Sequence, residues 1–236
     1  MKWLLLVLVF VTSTPAAEVL AAPHHQKQDV LLAPGYQKLG FTPPAPGSYQ
    51  LPGLGVAADA EVLDSKGREV SLHELMAGKF TIFSFIYTTC SDVNGCPLAS
   101  YVLGKVQRRV MADDILKDHV RLVSFSFDPV NDRPKVLDTY ASNFREPGFD
   151  WHFVTSRSDE QLAATLEDYN QFVIRDYNED GSLVGSISHM LRVYLVDHRL
   201  QIRNIYSVSF LHADTIMNDV RTVVAENASR EAMGTR

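Results

Sequence analysis

The chain has 236 residues, 46% of them hydrophobic and 21% charged, with a formal net charge of -6. That hydrophobic share suits a globular protein with a sizeable core rather than a disordered chain. The acidic balance argues against nucleic acid as a partner, because nucleic-acid binders normally carry a basic patch or stripe.

At the N-terminus Lys2 precedes an apolar run over residues 3–11, and the small residues of "TSTPAAEVLAA" follow. This is the pattern of a secretory signal peptide, placed at 1–22, with cleavage after Ala16, Ala17 or Ala21. The run is well short of the ~20 apolar residues that a membrane helix needs. No transmembrane span is expected once the signal is removed; an uncleaved signal would leave the chain membrane-associated. No cysteine stands near the cleavage region, so the bacterial lipoprotein pattern is missing. The expectation is an exported protein, periplasmic in a bacterial host, working where disulfides can form.

Residues 23–50 are rich in Pro, Gly and Gln and show little periodicity, which reads as an extended N-terminal arm. The domain proper is placed at 51–228, with 229–236 as a C-terminal tail. "AEVLDSKGREV" predicts a hairpin around Ser65-Lys66-Gly67. Ser71 and Glu74 form a capping box for a short helix that Gly78 ends. The β-branched and aromatic run "FTIFSFIYTT" at 80–89 predicts a strand buried on both faces. Beyond the cysteines, Leu98, Val102, Val106 and Val110 recur every four residues, with Leu103 and Tyr101 widening an amphipathic helical stripe. "HVRLVSFSF" is the next strand, and "DRPKVLDTYASNF" a helix with Asp132 near its start. "WHFVT" is a strand, and "SDEQLAATLEDYN" a helix capped by Ser158. "MLRVYLVD" and "QIRNIYS" are strands joined by a tight turn at 198–200, and "HADTIMNDVRTVVAE" closes the chain as a helix. Strand–helix alternation predicts an α/β sheet with helices on its faces. The order fits a thioredoxin-like fold with an N-terminal hairpin and an added hairpin. Fold alone assigns no function.

Both cysteines of the chain, Cys90 and Cys96, lie in "IYTTCSDVNGCPLAS". Cys90 follows the buried strand. Cys96 precedes Pro97, a residue favoured at the first helical position. Six positions along a continuous helix would turn through ~600° and rise ~9 Å, so the thiols would not meet. A loop with the turn signal Asn94-Gly95 brings them together. One reading is a structural staple; the other is a reactive or metal-binding dithiol. Closing so short a loop stabilises little, and the strand-end, helix-start placement favours reactivity. A thiolate near a helix N-terminus is expected to have a lowered pKa, which points to Cys96.

"FSFIYTTCSDVNGCPLA" resembles the Sco/SenC family of copper-handling, thioredoxin-like proteins, in which a buried strand leads into C-x-x-x-C-P. "SFSFDPVNDRPKVLDTYASNF", "WHFVTSRSDEQLAATLEDYN" and "SISHMLRVYLVDHRLQIRNIY" resemble further family segments, in family order, over roughly residues 51–224. The resemblance implies Cys90, Cys96 and His189 as metal ligands, with Asp128 near the site and Asp92 and Pro97 as motif residues. The departure is C-S-D-V-N-G-C-P: Asn94-Gly95 is inserted before the second cysteine. Soft thiolates with an imidazole suit copper, as Cu(I) or Cu(II); zinc is the chemical competitor. Asp128 has a second reading as a strand-end cap, and Met190 is read as core.

"DYNEDGSL" begins like a calcium loop, but the twelfth position is Ile187 rather than Glu, so a hairpin turn is the better reading. The resemblance implies a copper metallochaperone that helps assemble the dinuclear copper centre of a respiratory cytochrome oxidase, its partner being the copper-site subunit. The alternative is a thiol-disulfide oxidoreductase that uses Cys90 and Cys96 as a catalytic redox dithiol to reduce an exported thiol protein. Metal binding needs His189; simple exchange does not.

Overall fold

The computed structural model describes residues 30–181 and 187–234. The signal-peptide region and His24-His25 lie outside them. The first hairpin pairs β1 (Glu61–Asp64) with β2 (Glu69–Ser71). Its turn is held by Asp64, whose carboxylate accepts from the Lys66 and Arg68 backbone N–H groups at 2.8 and 2.9 Å. Gly67 takes φ +79, a left-handed backbone that glycine tolerates best. Helix α1 (Leu72–Met76) starts with both halves of the Ser71/Glu74 capping box formed.

β3 (Phe80–Ile86) is buried along its whole length. It pairs in parallel with β4 (Val120–Ser126) and antiparallel with β8 (Arg192–Val196), so both edges and both faces are covered. β5 (Trp151–Thr155) runs parallel to β4, and β9 (Ile202–Ser207) antiparallel to β8. The seven-stranded order is β2-β1-β5-β4-β3-β8-β9. The sheet therefore has a parallel centre and antiparallel margins, as the alternation of elements predicts. A separate two-stranded ladder joins β6 (Val173–Ile174) to β7 (Ser188–His189). The hairpin reading of "DYNEDGSL" holds for its described part: the Gly181 N–H donates to the Asn178 carbonyl at 2.9 Å, with Gly181 at φ +81.

The long helices are α2 (Cys96–Met111), α3 (Pro134–Ala141), α4 (Asp159–Asp168) and α5 (Ala213–Gly234). On α2 the stripe Leu98, Val102, Leu103, Val106 and Val110 is fully buried, but Tyr101 is not part of it. Its ring lies on the outer flank, 4.9 Å from Tyr36 and under the Lys105 ammonium. α4 is capped by Ser158, which accepts from the Gln161 N–H. α5 runs past the expected end at Glu226 and on to Gly234; no Pro or Gly interrupts 227–233.

Two placements go beyond the sequence reading. Asp132 stands near the start of α3, just before its cap Arg133, as expected. It is also fully buried, accepting from the Thr88 N–H at 2.9 Å, the Thr88 hydroxyl and the Ser126 hydroxyl. It thereby ties the end of β3 to the end of β4. The other placement is that of the arm, which from Leu32 onward belongs to the same compact unit as the sheet. It runs as a strap over α2 and α5. A 3₁₀ turn at Pro34–Tyr36 sits against α2. Further on, Pro44 accepts from Asn218, the Gly47 N–H donates to Thr222, and the Tyr49 hydroxyl donates to Asp219. Such a segment binds through hydrogen bonds, so it leaves no apolar periodicity to read.

Candidate metal centre

The chain leaves the sheet after Ile86 and enters the cysteine loop through Tyr87, which is buried, and Thr88, which Asp132 holds. The Asp92 carboxylate accepts from the Asn94 N–H at 3.0 Å, and the Asp92 carbonyl from the Gly95 N–H at 2.9 Å. Gly95 is the N-cap of α2. Its need for glycine comes from closeness: a Cβ there would stand 3.3 Å from Cys90 Sγ and 3.2 Å from Asp92 Oδ2. Cys96 is the first residue of α2 and Pro97 the second, one place later than the sequence reading put the proline.

Both cysteines are free; Cys96 is buried and Cys90 partly exposed. Cys96 Sγ accepts from the Tyr87 N–H at 3.4 Å. The hydrogen bond from Cys96 draws the Cys90 thiol down to about 6, against the effect of burial, and the backbone N–H groups of Cys96 and Asp92 and the Tyr87 hydroxyl add to it. Burial pushes Cys96 the other way, and the charge on Cys90 pushes it further. The expectation of a lowered pKa at Cys96 is thus reversed. Its Sγ points into the core beneath the helix start, and the N–H groups there serve the sulfur of Cys90.

His189 ends β7. Its Nδ1 lies 3.2 Å from the Ile187 carbonyl, which can only accept, so Nδ1 carries the proton. The lone pair of Nε2 is then directed at Cys96 Sγ, 3.7 Å away. The rings of Phe127 and Tyr87 pack on the imidazole, with centroids at 4.8 and 5.8 Å. Among the described residues, no three His, Cys, Asp or Glu side chains already form a ready-made metal site. Cys96 is the link, sharing one short loop with Cys90 and facing His189 at 3.7 Å. An ion bound about 2.3 Å from sulfur and about 2.0 Å from nitrogen, lengths typical of zinc, would span that gap at an angle of roughly 115–120°. The spacing of Cys96 and His189 alone is thus that of two donors on one ion.

Residues 54–225 match the family model for SCO1/SenC. The chain belongs to the SCO1/SenC family. It is 30% identical over 158 residues to the SCO1 protein homolog of Bacillus subtilis, covering 66% of this chain and 76% of that one. Arabidopsis thaliana ScoI, solved with copper bound, superposes with a TM-score of 0.61 at 20% identity, over 73% of this chain and 99% of that chain. BsSco, a Sco-family cytochrome c oxidase assembly protein with a disulfide switch, superposes at 0.57 with 26% identity, over 74% of this chain and 97% of that chain. The thioredoxin-like α/β fold expected from the sequence is the Sco fold that these structures share.

Within this SCO1/SenC chain Asp128 follows Phe127, whose ring packs on His189, and Pro97 follows Cys96 in the first turn of α2. The buried Asp128 carboxylate accepts from Asn131, at 3.1 and 2.9 Å from the side-chain amide, which makes it a loop cap. Pro97 shapes the start of α2. Met190, read as core, is 47% exposed, because alternation along β7 turns His189 inward and its neighbour outward. Sequence reasoning missed Tyr87 and Asp132. Tyr87 sits in the apolar run and looks like one more core aromatic; only its reach to Cys90 and Cys96 sets it apart.

Proposed function

We propose that this chain is an exported copper metallochaperone that binds one copper ion through Cys90, Cys96 and His189 and assists assembly of the dinuclear copper centre of a respiratory cytochrome oxidase. The observation that carries the reading is the alignment of three soft or borderline donors. Cys96 Sγ, in one short loop with Cys90, stands 3.7 Å from an Nε2 whose lone pair is turned toward it by the Nδ1–Ile187 hydrogen bond. Such a partner on the far nitrogen orients a ligating imidazole. Two sulfurs and one nitrogen favour copper among the available metals. The copper-bound Sco structures and the oxidase-assembly role of BsSco support the same reading. Copper is here a cargo, passed to a copper-site subunit.

Cys90 and Cys96 do the holding. Copper displaces the proton that Cys96 shares with Cys90, and His189 supplies a neutral nitrogen without a change of tautomer. In an anaerobic titration the reduced protein binds one copper ion. His189→Ala weakens binding by more than the roughly 10–100-fold that loss of an outer-shell partner produces. Copper binding disappears when Cys90 and Cys96 are oxidised to a disulfide. Unchanged affinity in His189→Ala removes the histidine from the site.

A second reading rests on the asymmetry of the thiols. A partly exposed Cys90 with a thiol drawn down to about 6, backed by a buried Cys96, is the arrangement of an attacking and a resolving cysteine. This thiol-disulfide oxidoreductase would reduce cysteines of an exported partner. His189→Ala separates the two readings, since it weakens copper binding but leaves thiol exchange intact.

A further inference from the structure

The strap reaches the cysteine loop at its middle. The Ala33 N–H donates to Asn94 Oδ1 at 2.8 Å, and the Tyr36 hydroxyl donates to the Val93 carbonyl at 2.5 Å. Asn94 belongs to the two-residue insertion that sets this loop apart from the shorter motif. The turn that carries these donors has no slack. A Cβ on Gly35 would stand 2.3 Å from the Leu211 carbonyl oxygen, 2.9 Å from Val102 and 3.0 Å from Leu98. Tyr36 also stacks on Tyr101 of α2, the helix that begins at Cys96.

We propose that residues 33–36 tether the cysteine loop, with Tyr36 and Asn94 as positioning residues that hold the loop in the form in which both thiols are free and so disfavour closure of the disulfide. This rests on the reading of the two cysteines as a functional dithiol. A disulfide needs its sulfurs at about 2.03–2.05 Å, far inside hydrogen-bond contact. Cys96 cannot supply the movement: it is fully buried, sits in the first turn of α2 and accepts from the Tyr87 N–H. The loop over 90–95 must therefore carry Cys90 inward. Its middle is where the two strap hydrogen bonds attach, so closure bends or breaks them. The tether thus weights the equilibrium toward the dithiol, the form with free ligands for a metal. Closing the disulfide breaks two S–H bonds and forms one S–S bond. The two electrons and two protons pass to an oxidant, which in the test below is oxidised glutathione, converted to two molecules of glutathione.

The test is a metal-free redox titration of the whole exported chain in glutathione buffers, with the two forms separated by alkylation. Tyr36→Phe removes the bond to Val93, and Asn94→Ala the bond from Ala33. Each is expected to shift the equilibrium toward the disulfide by about 3–10-fold, the worth of one hydrogen bond. A tenfold shift corresponds to a potential about 30 mV more negative. Gly35→Val, which lifts the turn without touching either bonded side chain, shifts it the same way. Tyr49→Phe, in the strap but bonded to Asp219 on α5, leaves it in place. An unshifted equilibrium in folded Tyr36→Phe and Asn94→Ala overturns the proposal, as does an equal shift in Tyr49→Phe. If Gly35→Val does not fold, the other two variants decide. Copper binding is scored separately, so a shifted equilibrium with no copper binding sinks the metallochaperone reading alone. Normal copper binding with unshifted equilibria sinks the tether alone.

Discussion

At the residue scale the two thiols have been given different tasks by position alone. Cys90 stands where the Cys96 thiol and the backbone N–H groups of Cys96 and Asp92 act on it, and its pKa falls to about 6. With the reduced protein, iodoacetamide should label Cys90 with a half-maximal rate near pH 6 and leave Cys96 unmodified in the folded state, as peptide mapping would show. Labelling of Cys96 first would reverse the assignment. The folded pKa is depressed below the ordinary thiol range, so the stability that the Cys90 thiolate contributes is present above that range. It is lost as pH falls through about 6. A Cys90→Ser variant should lose that segment of the pH dependence. The sequence singled out both cysteines and His189 but misassigned the reactive thiol. Helix-start placement is readable along the chain; which sulfur the N–H groups face depends on how the loop folds back.

At the element scale the site is hung between two strand ends. Asp132 ties Thr88, after β3, to Ser126, at the end of β4. Burial raises its pKa, while the Ser126 and Thr88 hydrogen bonds work the other way. Asp132→Ala would leave those donors unpartnered in a dry setting and should destabilise the reduced protein by about 2–3 kcal/mol in chemical denaturation. No loss of stability would mean that water or a neighbour replaces the carboxylate. β3, β4, β5, β8 and β9 were legible because their composition is local and continuous, and α1 because its capping box spans four consecutive residues. Asp132 was not, because Thr88 is 44 residues away and an Asp before Arg-Pro looks like an ordinary helix cap.

Across the whole molecule Arg203 acts as a clasp. The guanidinium is buried between Asp197 at 3.2 Å and Glu226 at 2.6 Å, and it donates to the Leu51 and Pro52 carbonyls. It joins the end of the strap, the β8–β9 turn, β9 itself and α5. Arg203→Ala would remove the cation that Asp197 and Glu226 share, leaving them only backbone N–H donors, and should destabilise the fold by roughly 3–5 kcal/mol. In limited proteolysis it should also expose the strap to cleavage near residue 50 before the sheet is cut. Cleavage inside the sheet first would show that the strap does not depend on the clasp.

The sequence by itself determined the class of fold, the order of its elements, the family and the residues proposed as metal ligands. Those features rest on local patterns: the period of apolar residues, capping chemistry, turn glycines, and a motif whose members lie within one loop. Only the tertiary structure decided that the arm is a strap seated on α2 and α5, that Asp128 caps its own loop, and that Gly95 is needed for room beside Cys90. It also decided that Asn94 is an anchor for the chain 61 residues before it. Each of these is a contact between segments far apart in the chain, made by backbone groups and single side chains. Such contacts leave no periodicity behind, so they emerge only when the packing of the sheet and helices brings their partners together.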